Sequence, residues 1–154
     1  MKNLQPLLFL FFSIFLISCG LDNARIHNEA FVADTHNDVL LRSLTGRNIL
    51  SDLPESHSDL PKFKDGGVDL QVFSIWVSPS EFKGRYYDRA NMMITQLEYL
   101  CSRVPDQWAI PFNYQDIVYN DQKGILSCMV GVEGGHAIEN DLAKLDALYK
   151  SCLL

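Results

Sequence analysis

A chain of 154 residues, 47% hydrophobic and 21% charged, is long enough for one domain and too apolar for a disordered or low-complexity polypeptide. Its formal net charge is −6, and no Lys/Arg cluster interleaves with aromatic residues, so nucleic acid is not an expected partner. A mildly acidic balance singles out no substrate.

Residues 1–19 read as an export segment. Lys2 supplies a short positive start, and Leu7 to Ile17 is an almost unbroken apolar run, too short to span a bilayer comfortably. It ends in Leu16-Ile17-Ser18-Cys19-Gly20, which resembles a bacterial lipobox, where a small residue precedes a Cys that is lipidated and becomes the mature N-terminus. The expectation is a lipoprotein anchored through Cys19, exported from the cytoplasm and held at a membrane of the cell envelope. A plain signal peptide or a short anchor helix is the alternative. Cys101, Cys128 and Cys152 show no CxxC pattern or metal-like spacing, so buried thiols are the default for Cys101 and Cys128.

Residues 20–30 are polar and read as a tether, leaving 31–154 as the folded domain. Phe31 to His36 reads as a short strand running into polar residues. Residues 43–66 are rich in Gly, Pro, Ser and Asp and read as loop, with a turn of helix at Lys62-Phe63-Lys64. Val68 to Val77 is the clearest strand, dense in β-branched and aromatic residues and closed by Pro79. From Tyr86 to Val104, apolar residues at Ala90, Met93, Ile94, Leu97, Leu100, Cys101 and Val104 recur at helical intervals, with Pro105 as a stop. Asn113, with Asp116 three residues later, reads as the capped start of a shorter helix. Gly124 to Val132 is the third strand, and Asn140 caps a last helix with Leu142, Leu145, Leu148 and Tyr149 on one face.

Strands alternating with helices imply βαβ units and a parallel sheet. Two strands run into chemically capable residues: His36-Asn37-Asp38 after the first, Glu133-Gly134-Gly135-His136 after the third. Such groups at the C-terminal ends of parallel strands mark the functional side of α/β barrels and open α/β sheets alike. His36 and Asp38, two apart in extended chain, can aim at one point, and an imidazole with a carboxylate suits Zn²⁺ or a similar divalent ion. Glu133, at the tip of a buried strand, is costly unless paired or metal-bound, and the glycines after it let the backbone turn sharply. Taken separately, each segment is more often a solvated turn than a metal site, and a loop role is the default for His136.

Together they resemble the membrane (renal) dipeptidase family of zinc metallopeptidases. The resemblance rests on Asp34-Thr35-His36-Asn37-Asp38, on Asp59-Leu60-Pro61 and Gly66 to Trp76, and on Gly131 to Ile138 followed by Asp141-Leu142. It covers about residues 31 to 150.

What the resemblance implies is α/β: the N-terminal part, about three βα units, of a metal-dependent hydrolase-type TIM (β/α)₈ barrel with a two-zinc centre. His36 and Asp38 would bind one zinc, and Glu133 would bridge both as the catalytic carboxylate. The bound hydroxide would attack the peptide bond of a dipeptide. The family's two further zinc-binding histidines come from later strands, and a whole barrel takes about 250 residues. The expectation is therefore a partial barrel, inactive and poorly folded alone. A different metal-dependent amidohydrolase and a non-enzymatic binding lipoprotein are the competing readings.

Overall fold

The computed structural model describes residues 23–151, so the expected export segment, with Cys19, and Cys152 lie outside the described residues. The described residues fall into two units, 23–30 and 31–151. The first holds one helix, α1 (Asn23–Glu29), within the stretch expected to be a tether. Arg25 and Glu29 pair one turn apart at 3.9 Å, a spacing that supports a helix weakly. No helix among the described residues is long and apolar enough to cross a membrane.

The second unit runs β1 (Ala33–Asn37), α2 (Leu40–Ser43), α3 (Leu60–Asp65), β2 (Leu70–Trp76), α4 (Tyr86–Arg103), β3 (Trp108–Ala109), α5 (Tyr114–Lys123), β4 (Leu126–Glu133), a 3₁₀ turn (Gly135–Ile138) and α6 (Leu142–Ser151). The four strands form one parallel sheet in the order β1-β2-β4-β3. Three of them are the strands read from the sequence. The fourth, β3, escapes sequence reading because two residues show no period. It pairs with Leu126 and Ser127 and buries Trp108.

One face of β2 makes the core. Phe73 and Ile75 are fully buried, and Phe73 packs with Phe63 of α3 and Trp108 at ring separations of 5.5–6.0 Å. Against this core lies α4, which buries Ala90, Met93, Ile94, Leu97, Leu100 and Cys101 at the intervals that the periodicity predicts. Truncating a side chain as enclosed as Leu97 to Ala costs about 2–5 kcal/mol. Cys101 and Cys128 are buried free thiols, one on α4 and one on β4, and burial pushes the Cys128 thiol up.

Helix ends follow side-chain chemistry. Asn113 caps α5 by accepting from the Asp116 N–H at 3.0 Å, and Gly124 closes it in left-handed conformation. Asp59 caps α3, accepting from Lys62 N–H, and Pro61 sits in the first turn, where a missing N–H costs nothing. The segment expected to be mostly loop thus contains a capped helix of six residues. The expected cap of α6 is corrected by one residue. Asn140 lies in left-handed backbone, and Asp141 instead accepts from Ala143 N–H at 2.8 Å.

Candidate metal centre

The register of β1 against β2 decides where the ligand segment points. Ala33 pairs with Leu70 and Asp34 with Gln71, but the next pair is Asn37 with Phe73. Three steps along β1 match two along β2, so β1 carries a bulge of one extra residue. In a regular strand, Asp34, His36 and Asp38 would share a side. The extra residue reverses the alternation, so that Asn37 takes the side of Phe73, and His36 and Asp38 take the side of Ser74 and Trp76. Glu133 pairs with Trp76 and Gly131 with Ser74, which puts Glu133 on that same inner face.

Three side chains meet there. His36 Nε2 lies 3.7 Å from Asp38 Oδ2 and 3.6 Å from Glu133 Oε2. One ligand atom from each of the three residues falls within 4.8 Å of the others. Zinc held at about 2.0–2.2 Å by tetrahedral ligands separates neighbouring donor atoms by about 3.3–3.6 Å. The observed separations are close to that, and one imidazole with two carboxylates is a donor set suited to a divalent ion. All three side chains are about half exposed, at the C-terminal end of the sheet. The two ligand-bearing strands are not neighbours: β2 lies between β1 and β4, and the ligands converge across it.

Ser74 completes this face. It is buried, and its hydroxyl donates to Glu133 Oε2 at 3.0 Å, orienting the oxygen that also faces His36. Gly131 keeps the space clear: a Cβ there would sit 3.1 Å from Val72 Cγ1. Behind His36 and Asp38, Asn37 ties the turn together. Its Nδ2 donates to Ser58 Oγ at 3.0 Å and to Asp34 Oδ2 at 3.4 Å, and its Oδ1 accepts from Val39 N–H at 3.0 Å. Asp34 Oδ1 accepts from His36 N–H at 3.1 Å.

His136 does not join the ligands. Its Nε2 lies 2.8 Å from the Val77 carbonyl, which can only accept, so Nε2 carries the proton. Its ring meets Tyr86 edge-on at 5.2 Å. Gly134, at φ +94, leaves room for that ring, since a Cβ would stand 2.5 Å from it. The turn after Glu133 is thus clasped to the end of β2. Glu139 clasps it to α4: its Oε1 accepts from Tyr86 N–H at 2.8 Å, capping a helix whose own N-cap residue, Arg85, offers no side-chain bond. The hydrogen bond from Lys144 holds the Glu139 carboxyl below its usual range.

The loop that carries Ser58 is pinned through Asp59, which is fully buried. Burial raises its carboxyl, but Lys62 and the N–H groups of Leu53 and Lys62 outweigh that and hold it below its ordinary value. Lys62 is itself shared with Asp52 and the Leu53 carbonyl.

Sequence reading missed Ser74 and Glu139 as parts of the site. Ser74 carries a signal, a hydroxyl in the midst of an otherwise apolar strand interior. Glu139 carries none, because its partner lies 53 residues away.

Known proteins resemble this chain in sequence and in fold. The family model for membrane dipeptidases, peptidase family M19, matches residues 22–153. Dipeptidase 3 of Mus musculus is 30% identical over 128 residues, covering 77% of this chain and 24% of its own length. Among solved structures, dipeptidase AC, a metallopeptidase of family M19, superposes with a TM-score of 0.68 at 25% identity, covering 80% of this chain and 40% of that one. A metallopeptidase from Rhodobacter sphaeroides, liganded with a phosphinate mimic of the dipeptide L-Ala-D-Ala, has the same fold. Its TM-score is 0.66 at 24% identity, with 80% of this chain and 43% of that one covered. The chain thus spans about a quarter of its curated relative. Its four parallel strands and their helices are part of the barrel of these dipeptidases.

Proposed function

Because this chain belongs to the membrane dipeptidase family, peptidase family M19, we propose that it carries part of a zinc centre for the hydrolysis of dipeptides. The observation that carries this reading is the meeting of His36, Asp38 and Glu133 within 4.8 Å on one face of the sheet. His36 and Asp38 would hold one ion. Glu133 Oε2 takes a hydrogen bond from Ser74 and faces His36, and its Oε1 would be left to reach a second ion, as a bridging ligand must. Zinc bound there supplies Lewis acidity, lowering the pKa of water and neutralising charge that develops on the peptide carbonyl oxygen. The residues orient the site: Ser74 fixes Glu133, and Asn37 and Asp34 fix the turn between His36 and Asp38.

A second ion calls for more ligands. The other histidines of the 154 residues are His27, His57 and His136, and the ring nitrogen Nε2 of His136 is bonded to Val77. These residues by themselves are therefore proposed to bind one ion and to cleave no dipeptide. The dipeptide class follows from the family and from the curated relative; a specific dipeptide does not. We propose further that Cys19 is lipidated and holds the chain at a membrane outside the cytoplasm, on the apolar run that precedes it.

The test is zinc stoichiometry of the 154-residue chain by equilibrium dialysis, with dipeptide cleavage measured alongside. One ion bound, lost in His36→Ala and Asp38→Ala, with no cleavage, is the expected outcome. Zinc binding unchanged in both variants would remove the proposed centre.

A further inference from the structure

The bulge in β1 raises a physical question: what holds an irregular strand in the one register that aims two ligands at Glu133? We infer that Gln71 is a positioning residue for the metal centre, acting from the opposite face of the sheet. The inference rests on the zinc-centre reading above.

Gln71 pairs with Asp34 at the last regular position before the bulge. Its side chain lies on the Phe73 side of β2, away from Ser74, and is fully buried. Its Nε2 donates to the Asp34 carbonyl at 3.2 Å and to the Val72 carbonyl at 3.0 Å. One amide group thus bridges the two strands at the step where their ladder loses register. The first carbonyl belongs to the residue whose carboxylate accepts from His36 N–H and Asn37 Nδ2. Gln71, Asp34 and Asn37 form a chain of hydrogen bonds running from the core to the ligand turn.

The same side chain carries a stability cost. Its Oε1 is buried and meets no donor among the described residues. A buried amide with one end unsatisfied is a feature that a strand residue selected for stability alone would avoid. Methionine has nearly the same length and no polar atom to leave unpaired. The presence of Gln is explained by what its Nε2 holds: the carbonyl at the start of the bulge. Without that bond the bulge can slip by a residue, and each slip moves His36 and Asp38 to the wrong face.

The experiment compares metal binding with stability in the full 154-residue chain, using Co²⁺ as a visible probe in competition with a chromophoric chelator. Gln71→Met should unfold within about 4 °C of the parent chain. Its Co²⁺ affinity should fall about tenfold, the scale of lost outer-shell support, with a changed absorption band. Ile75→Val, on the same face of β2, should lower the unfolding midpoint and leave Co²⁺ affinity unchanged. Parent-like affinity and spectrum in Gln71→Met would overturn the inference. A measurement on the parent chain stands independently of how the variants fold: the Gln71 side-chain NH₂ protons, followed by NMR without metal, should exchange slowly with solvent. Fast exchange would also overturn the inference. Should the parent chain bind no Co²⁺, the zinc-centre reading fails, and the protection of the Gln71 amide alone decides whether the bulge is braced.

Discussion

Ser74, buried in the centre of β2, the strand between the two ligand segments, donates its hydroxyl to Glu133 Oε2 of β4 at 3.0 Å. A carboxylate so oriented need not be ordered by the metal. Ser74→Ala should therefore weaken zinc binding about tenfold while leaving the fold intact. Competitive chelator titration with thermal unfolding in parallel checks this. Equal affinity for variant and parent would mean that the hydrogen bond does nothing for the metal.

Glu133 itself should matter more. Glu133→Gln keeps the shape and removes the charge, so affinity should drop by more than the roughly 100-fold upper range for supporting residues. In an enzyme carrying a whole barrel, the same change should nearly abolish dipeptide hydrolysis. Near-normal turnover with zinc bound would count against a bridging carboxylate.

Gly134 stands at φ +94 with the His136 ring in the place a side chain would take. Gly134→Ala must strain the backbone and push the ring off the Val77 carbonyl. The expected loss is about 1–3 kcal/mol, read from thermal or chemical unfolding. A variant as stable as the parent would show that the clasp is dispensable.

Asp59 makes stability depend on pH. Its carboxyl is held below its value in the unfolded chain. A depressed carboxylate contributes stability that is fully present above the unfolded value of about 4 and is lost as pH falls through the folded value. Between about pH 5 and pH 2 the unfolding temperature of the parent should fall more steeply than that of Asp59→Asn. At neutral pH, Asp59→Ala should cost about 1–2 kcal/mol through loss of the α3 cap. Parallel pH profiles for parent and Asp59→Asn would assign the acid sensitivity elsewhere.

The proposed anchor is tested by fractionation. Cys19→Ala should move the protein from the membrane fraction to the soluble one. Retention in the membrane would favour an uncleaved apolar segment over a lipid.

Much of this protein is legible in the order of its residues. Apolar spacing marks α4, because a helix repeats every 3.6 residues whatever surrounds it. Asn113 and Asp116 mark the start of α5, because a cap is a contact three residues long. His36, Asp38 and Glu133 stand out as candidate ligands because each follows an apolar strand. These are local properties, and local chemistry determines them. What aims His36 and Asp38 is not local. Alternation along a strand assigns faces only while the register holds, and the register between Asp34 and Asn37 is broken by one residue against β2. Only the pairing of β1 with β2 shows that the break exists. Only the pairing of β2 with β4 places Ser74 beneath Glu133, 59 residues on, and only the packing against α4 gives Glu139 a helix to cap. Register and cross-strand contact arise between segments far apart in the chain, so the tertiary structure decided them.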